Sequence, residues 1–244
     1  MKFTLFLNTR KRPALLNSFL FSVLSNTKNK KDIEILIRYD DDDEETEEFS
    51  NRASFIYDLN LTFIKGPRPK SLIVSYNETV RRSKGENLFV CNDDIQILTK
   101  DWDEIALRKI EEYKKEKGIS DDIYLCTTDC SSIDRDKRKG YCSFPIISKK
   151  ATDVLGFFMY DSFVGLGGDS SIHRLYEGID RVIDITEIKI NHELHSSLEA
   201  INNPDQTASD MRKNTRLNFV DPYSFDVSKE VDFLKKYIKE HAKT

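Results

Sequence analysis

The 244-residue chain carries 38 Lys and Arg against 42 Asp and Glu, for a formal charge of −4 and a pI near 5.7, and 39% of its residues are hydrophobic. That content can build a substantial core, and the acidic balance excludes an overall basic footprint for nucleic acid. The longest apolar runs, 18–24 and 3–7, are too short to span a bilayer and the N-terminus lacks a cleavable signal pattern, so a cytoplasmic protein with no membrane span is expected.

Residues 2–7 read as a strand, and Pro13 suits the first turn of a helix over about 14–25, where a missing N–H costs nothing. Leu16, Phe19, Leu20, Val23 and Leu24 recur at helical spacing, which turns that face onto a sheet. The near-continuous apolar run 33–39 fits a parallel strand covered on both faces. It ends in the densest charge cluster of the chain, 40–48. Glu44 to Glu48 suit the solvated first turn of a helix, since acids there complement its dipole. Asp40, Asp41 and Asp42 instead leave a buried strand, where one of them can accept a hydrogen bond from a nucleobase or ribose.

A third strand is expected at 61–64. The stiff basic turn Gly66-Pro67-Arg68-Pro69-Lys70 leads from it into a helix over about 71–82, and cations beside free N–H groups at a helix start suit a phosphate. The plain alternative is that Arg68 and Lys70 point to water. Residues 86–95 then form an apolar run that ends abruptly in Asn92-Asp93-Asp94. Ligands of an open α/β sheet bind beyond the carboxyl ends of its strands, so carboxylates emerging there face a ligand. Hard oxygens on a stiff turn suit Mg²⁺ or Mn²⁺, which can hold a diphosphate, although Asn-Asp-Asp is also ordinary turn chemistry.

An amphipathic helix is expected over about 101–117, with Trp102, Ile105, Ala106, Ile110 and Tyr113 inward and Gly118 as its stop. A strand at 123–127, a polar excursion at 129–140, a returning segment at 144–148 and a short helix at 149–155 follow. Cys91, Cys126, Cys130 and Cys142 form no paired CxxC knuckles and read as buried thiols. Asp169 follows three glycines within four residues at a helix start; glycines let a backbone approach a ligand, while an Asp there is equally an N-cap. A last strand at 182–190 precedes His192 and His195, two of the four histidines, placed to supply one imidazole to a metal. The irregular stretch 202–218, with Arg212, Lys213 and Arg216, is placed to cover a diphosphate, and a helix over about 228–239 closes the chain.

Taken together, the first half resembles the GT-A-fold nucleotide-sugar glycosyltransferases, particularly the family-two type. Residues 9–16 (Thr-Arg-Lys-Arg-Pro-Ala-Leu-Leu) look like that family's opening turn and first helix, and residues 33–40 like its second strand ending in the nucleobase-binding Asp40. Lys70-Ser71-Leu72 through Asn77 to Lys84-Gly85-Glu86 is similar to the helix before its metal strand, and 90–95 falls where its Asp-x-Asp motif stands. Gly167-Gly168-Asp169 sits where inverting members carry an acidic pair whose Asp is the general base, and His192 or His195 where many GT-A enzymes place a further metal ligand. Two departures stand out: Asn92 replaces the first acid of Asp-x-Asp, and Gly168 replaces the acid before the base.

The resemblance implies one GT-A-type α/β domain, a mixed and mostly parallel sheet with helices on both faces. Residues 1–98 would be its nucleotide-sugar-binding half and 99–244 its acceptor-binding and catalytic half. It implies inverting transfer from a nucleoside-diphosphate sugar, uridine being the default for the fold, to a hydroxyl of a glycan, protein, lipid head group or modified nucleobase. Thr9, Arg10, Asp40, Arg68, Lys70, Asn77, Asn92 and Asp93 would bind the donor, Asp94 with His192 or His195 would hold Mn²⁺ or Mg²⁺, and Asp169 would be the base. Two alternatives stay open. One is a degenerate sugar-nucleotide or glycan binder, motivated by Asn92 and Gly168; the other is a nucleotidyltransferase, disfavoured because 8–12 contains no glycine.

Overall fold

The structure, a computed structural model, describes residues 1–130, 142–163, 167–192 and 220–241. In chain order its elements are β1 (Phe3–Thr9), α1 (Pro13–Asn26), β2 (Ile33–Asp40), α2 (Glu44–Ile56), β3 (Asn60–Gly66), α3 (Leu72–Val80), β4 (Asn87–Val90) and β5 (Gln96–Ile97). Then come α4 (Trp102–Lys117), β6 (Leu125–Cys130), β7 (Ile146–Ser148), α5 (Lys149–Leu155), α6 (Gly168–Gly178), β8 (Val182–Asn191) and α7 (Ser228–His241).

The strands form one sheet in the order β3-β2-β1-β4-β7-β6-β8-β5. β3, β2, β1 and β4 run parallel, β7 is antiparallel to β4 and to β6, β8 is parallel to β6, and β5 is antiparallel to β8. It follows that β1, β2, β3, β4, β6 and β8 all point one way, so their carboxyl ends gather along one edge of the sheet. Both halves of the chain contribute strands, which makes this the single mixed α/β domain expected from the sequence.

Alternation along the strands builds two cores. Phe3, Leu5 and Leu7 of β1 face one layer, filled by Leu16, Phe19 and Val23 of α1, Ala53 of α2 and Trp102, Ala106 and Ile110 of α4. Phe6, between them in sequence, faces the other layer with Ile73 and Tyr76 of α3, Ala151 of α5, Leu175 of α6 and Leu234 of α7. Trp102 stacks its ring edge between Phe3 and Phe89, at 5.0 and 5.4 Å, and its indole N–H donates to Thr27 Oγ1 at 2.9 Å, so its one polar atom is satisfied. All four cysteines are buried thiols. No helix among the described residues is long and apolar enough to cross a membrane.

Three local features differ from expectation. β5 has only two residues, too few for a periodic signal, yet it crosses to the far edge and is pinned to α1 by Gln96 Nε2 on Ser18 Oγ (2.8 Å) and Asn26 Nδ2 on the Ile97 carbonyl (2.8 Å). The cap of α6 is Gly167, at φ 95° in the left-handed region, so Asp169 lies within the first helical turn instead of capping it. Asp43, on the acidic run, is buried: it caps α2 by accepting from Thr46 N (3.0 Å) and also accepts from Lys11 N (2.7 Å), tying that helix to the turn after β1.

The Lys84-Gly85-Glu86 segment lies at the end of the sheet opposite the gathered carboxyl ends. Gly85 N donates to Thr4 Oγ1 (2.8 Å), which donates to the buried Glu34 Oε1 (2.5 Å), and Glu34 also accepts from Lys84 N. A Cβ on Gly85 would stand 2.4 Å from Phe3 C and Thr4 N, against backbone that has nowhere to go. Gly85→Ala is therefore expected to destabilise the fold by about 3 kcal/mol in urea denaturation. At Gly118 the space is open and only the left-handed backbone (φ 63°) resists, so Gly118→Ala is expected to cost about 1 kcal/mol. Equal losses for the two variants would contradict the steric account.

Candidate active site

Strand order reverses between β1 and β4, since β2 and β3 lie to one side of β1 and the later strands lie beyond β4. A crevice forms at such a point beyond the carboxyl ends. Thr9, at the end of β1, donates through Oγ1 to Asp93 Oδ2 at 2.7 Å and so bridges the reversal. The other oxygen of Asp93 meets the Arg12 guanidinium at 2.6 Å. Asp93 is 0% exposed, and burial pushes its carboxyl up, to about 7, despite the pull of Arg12. Thr9 and Asp93, both expected to touch a donor, are instead enclosed and spent on each other and on Arg12. They hold the crevice in shape.

Asp94 behaves differently. Its Oδ1 lies 3.4 Å from His192 Nε2, just past the end of β8, and its Oδ2 lies 3.7 Å from Arg12 NH1. The edge of Phe144 packs on the His192 ring at 5.0 Å. Burial works against the charge of this imidazole, but hydrogen bonds to Asp94 and Cys130 outweigh it and raise its pKa to about 9. A carboxylate oxygen and an imidazole nitrogen this close suit a cation bound at about 2.1 Å to each, where neighbouring octahedral ligands stand about 3 Å apart. Mg²⁺ and Mn²⁺ typically take one or two protein ligands in nucleotide sites and fill the rest with phosphate and water. Among the described residues no group of three or more acidic, His or Cys ligands gathers; Asp94 and His192 supply two donor atoms, the number such a site takes from protein.

At the end of β2, Asp40 is buried between two guanidiniums, Arg38 NH1 at 2.5 Å and Arg10 NH1 at 3.1 Å. Arg38 also donates to the Pro67 carbonyl, which anchors the Arg68-Lys70 turn beside the crevice. Arg10 grips Asp42 with both amino groups, NH2 on Oδ2 at 2.8 Å. The hydrogen bond from Arg10 holds the Asp42 carboxyl low, at about 2, although its side chain is 61% exposed. Asp40 was the residue expected to face a nucleobase; the outward carboxylates at this strand end are Asp41 and Asp42, and of these Asp42 is the one held by Arg10.

Asn92 accepts from Tyr76 OH at 2.8 Å, and burial with the charges of Asp94 and Asp93 keeps that phenol protonated and so a donor. Asn77 corrects an expectation. Its amide donates to the Met159 carbonyl (2.8 Å) and Asp161, and its oxygen accepts from Phe158 N (2.9 Å) and Met159 N (3.0 Å). All its capacity is used clamping the 158–161 turn to α3, which leaves nothing for a donor. That turn supports the start of α6: a Cβ at Gly168 would lie 2.9 Å from Ile73 Cδ1 and 3.3 Å from Met159 Sδ, so a side chain before Asp169 would require those two side-chain ends to shift. Asp169 itself accepts from Ser170 N at 2.9 Å. Lys70 is exposed in the β3–α3 turn, whereas His195, Arg212 and Arg216 lie outside the described residues.

Sequence reasoning passed over Arg12 and Arg38. A signal existed for each: Arg12 precedes Pro13 at the same strand end as the acids, and Arg38 interrupts an apolar strand, where a charge demands a partner.

Residues 5–163 match the sequence profile of glycosyl transferase family 2. No curated protein sequence matches the chain. Among solved structures it is similar to S. aureus TarS, with a TM-score of 0.60 and 12% identity over 99% of this chain and 43% of that one. It is similar to the mannosyltransferase PcManGT from Pyrobaculum calidifontis in complex with GDP-Man and Mn²⁺, with a TM-score of 0.61 and 12% identity over 99% and 70% of the two chains. GalNAc-T7 with UDP, GalNAc and Mn²⁺ gives a TM-score of 0.62 and 11% identity over 97% and 55%. At these identities the likeness is one of fold, and the chain spans less than half the length of the TarS chain.

If Thr9 and Asp93 lock the crevice, Thr9→Val strands a buried carboxylate oxygen and is expected to cost about 1–3 kcal/mol in chemical denaturation. Thr62→Val, on an exposed position of β3, should stay within about 0.5 kcal/mol. Equal effects would remove the bridge from the account.

Proposed function

The chain belongs to glycosyl transferase family 2, and from that premise we propose that it moves a sugar from a nucleoside-diphosphate sugar to an acceptor hydroxyl with inversion at the anomeric carbon. The observation that carries this reading is the meeting of Asp94 Oδ1 and His192 Nε2, 3.4 Å apart, at the carboxyl ends of β4 and β8 beside the strand-order reversal. The Mn²⁺ complexes of PcManGT and GalNAc-T7 support a divalent cation here as well.

In this reading residues 1–98 bind the donor and 99–244 take the acceptor. Asp94 and His192 would hold Mn²⁺ or Mg²⁺, which when bound supplies positive charge to the departing diphosphate. In this role the exposed Asp42 carboxylate, held by Arg10, would accept from the nucleobase edge, and Arg68 and Lys70 of the exposed β3–α3 turn would meet phosphate. Asp169, on the turn braced by Asn77 and Gly168, takes the proton from the acceptor hydroxyl as its oxygen attacks the anomeric carbon. The new glycosidic C–O bond forms on the face opposite the breaking bond to the diphosphate, which inverts the configuration. A uridine donor is the fold's default, and the GDP-Man complex of PcManGT keeps guanosine in the test.

The replacement of an acid by Asn92 favours a second reading, a binder without turnover. Thermal shift against UDP-, GDP-, CMP- and dTDP-sugars with and without Mn²⁺ is expected to show one nucleotide raising the melting temperature, more so with metal. Sugar release or transfer with that donor would decide for the enzyme; stabilisation with no turnover on any acceptor would decide for the binder. Asp94→Asn is expected to lower kcat by about 10²-fold or more. Asp169→Asn should lower it by about 10²–10⁴-fold while leaving the nucleotide-dependent melting shift intact. Unchanged turnover in Asp169→Asn would take the base role from that residue.

A further inference from the structure

Two carboxamides, Asn8 and Asn92, stand side by side at the strand-order reversal. The β1–β4 register sets Phe6 beside Val90, and the Thr9–Asp93 hydrogen bond carries that pairing three residues further, to the strand ends. Asn8 therefore neighbours Asn92, and both side chains lie on the sheet face opposite Thr9 and Asp93. That face is covered by α3, where two consecutive hydroxyls meet them. Ser75 Oγ donates to Asn8 Oδ1 at 2.6 Å, and Tyr76 OH donates to Asn92 Oδ1 at 2.8 Å. Ser75 and Tyr76 are themselves buried, so both carbonyl oxygens are fixed against α3.

With its carbonyl held, each carboxamide has N–H donors left to offer. The Asn8 amino group is enclosed and meets no acceptor among the described residues, so this corner already holds one unsatisfied donor. Asn92 is partly exposed, and among the described residues no hydrogen bond holds its amino group. An Asp at position 92 would accept from the same phenol but would turn a negative acceptor outward where Asn92 turns a neutral donor. Of the parts of a sugar nucleotide, the ionised diphosphate oxygens accept and cannot donate, whereas sugar hydroxyls do both. The corner is thus matched to phosphate.

We propose that Asn92 donates a hydrogen bond to a diphosphate oxygen of the sugar nucleotide, and that Tyr76 is a positioning residue that turns the Asn92 amino group outward for it. The inference rests on the reading of this crevice as the donor site. Its test is calorimetric titration of UDP and of GDP into the full chain in Mn²⁺. The variants are Asn92→Ala, Asn92→Asp, Tyr76→Phe and the double Asn92→Ala/Tyr76→Phe, each measured below its own melting temperature. Asn92→Asp has the same shape and keeps the Tyr76 hydrogen bond, so it serves where Ala disturbs the fold.

The wild type is expected to bind one of the two nucleotides. Asn92→Ala and Asn92→Asp should each weaken that binding at least about tenfold, and Tyr76→Phe about threefold or more. The double variant should be no weaker than Asn92→Ala, because Tyr76 acts only through the amide. Binding by Asn92→Asp as tight as wild type or tighter would make residue 92 a cation ligand and overturn the inference. Unchanged binding in Asn92→Ala, or a loss from Tyr76→Phe that persists in the Asn92→Ala background, would also overturn it, and in all three cases the donor site would stand. No binding of either nucleotide by the wild type would remove the donor-site reading itself, and this inference with it.

Discussion

One buried carboxylate holds the crevice together. Asp93 receives the Thr9 hydroxyl on one oxygen and the Arg12 guanidinium on the other, and those contacts join the ends of β1 and β4 where the strand order reverses. A buried carboxyl is costly to leave unpartnered, so its ties to Thr9 and Arg12 constrain the two strand ends and the start of α1. The neighbouring Asp94 is thereby aimed away from the core and toward His192.

Strand direction does the rest of the assembly. Six strands, β1, β2, β3, β4, β6 and β8, share one direction, and their last residues or the turns just after them supply Thr9, Asp40, the 92–94 turn, Cys130 and His192. The antiparallel β7 lets β4 and β6 share that direction across it, and through β6 it brings β8 into line. The short β5 carries the chain from the acidic turn to the outer side of β8 and fixes α1 to that edge. The chain belongs to glycosyl transferase family 2 and shares the fold of PcManGT and GalNAc-T7.

Local pattern was enough for much of the fold. The uninterrupted apolar run of β2, the helical spacing of Leu16, Phe19 and Val23, and Gly118 in its left-handed C-cap are each decided within a few residues of sequence. The site was harder to read because its meaning lies in long-range pairs. Thr9 and Asp93 are 84 residues apart and Asn77 and Met159 are 82 apart, so no window reveals that Asp93 is enclosed or that Asn77 is exhausted on a turn. Asp40 looked open to a nucleobase because its two guanidinium partners are set by side-chain packing, and the 3.4 Å meeting of Asp94 with His192 likewise joins residues far apart in the chain. β5 was missed because two residues carry no periodicity.

The central claim is that Asp94 and His192 hold the cation of a donor site at this strand-order reversal. The most direct test is a crystal of the protein grown with Mn²⁺ and the nucleotide that stabilises it, measured for anomalous scattering at the manganese edge. The account predicts a manganese peak within about 2.3 Å of both Asp94 Oδ1 and His192 Nε2, with the diphosphate alongside. A nucleotide bound elsewhere on the sheet, or bound here with manganese absent from Asp94, would contradict it.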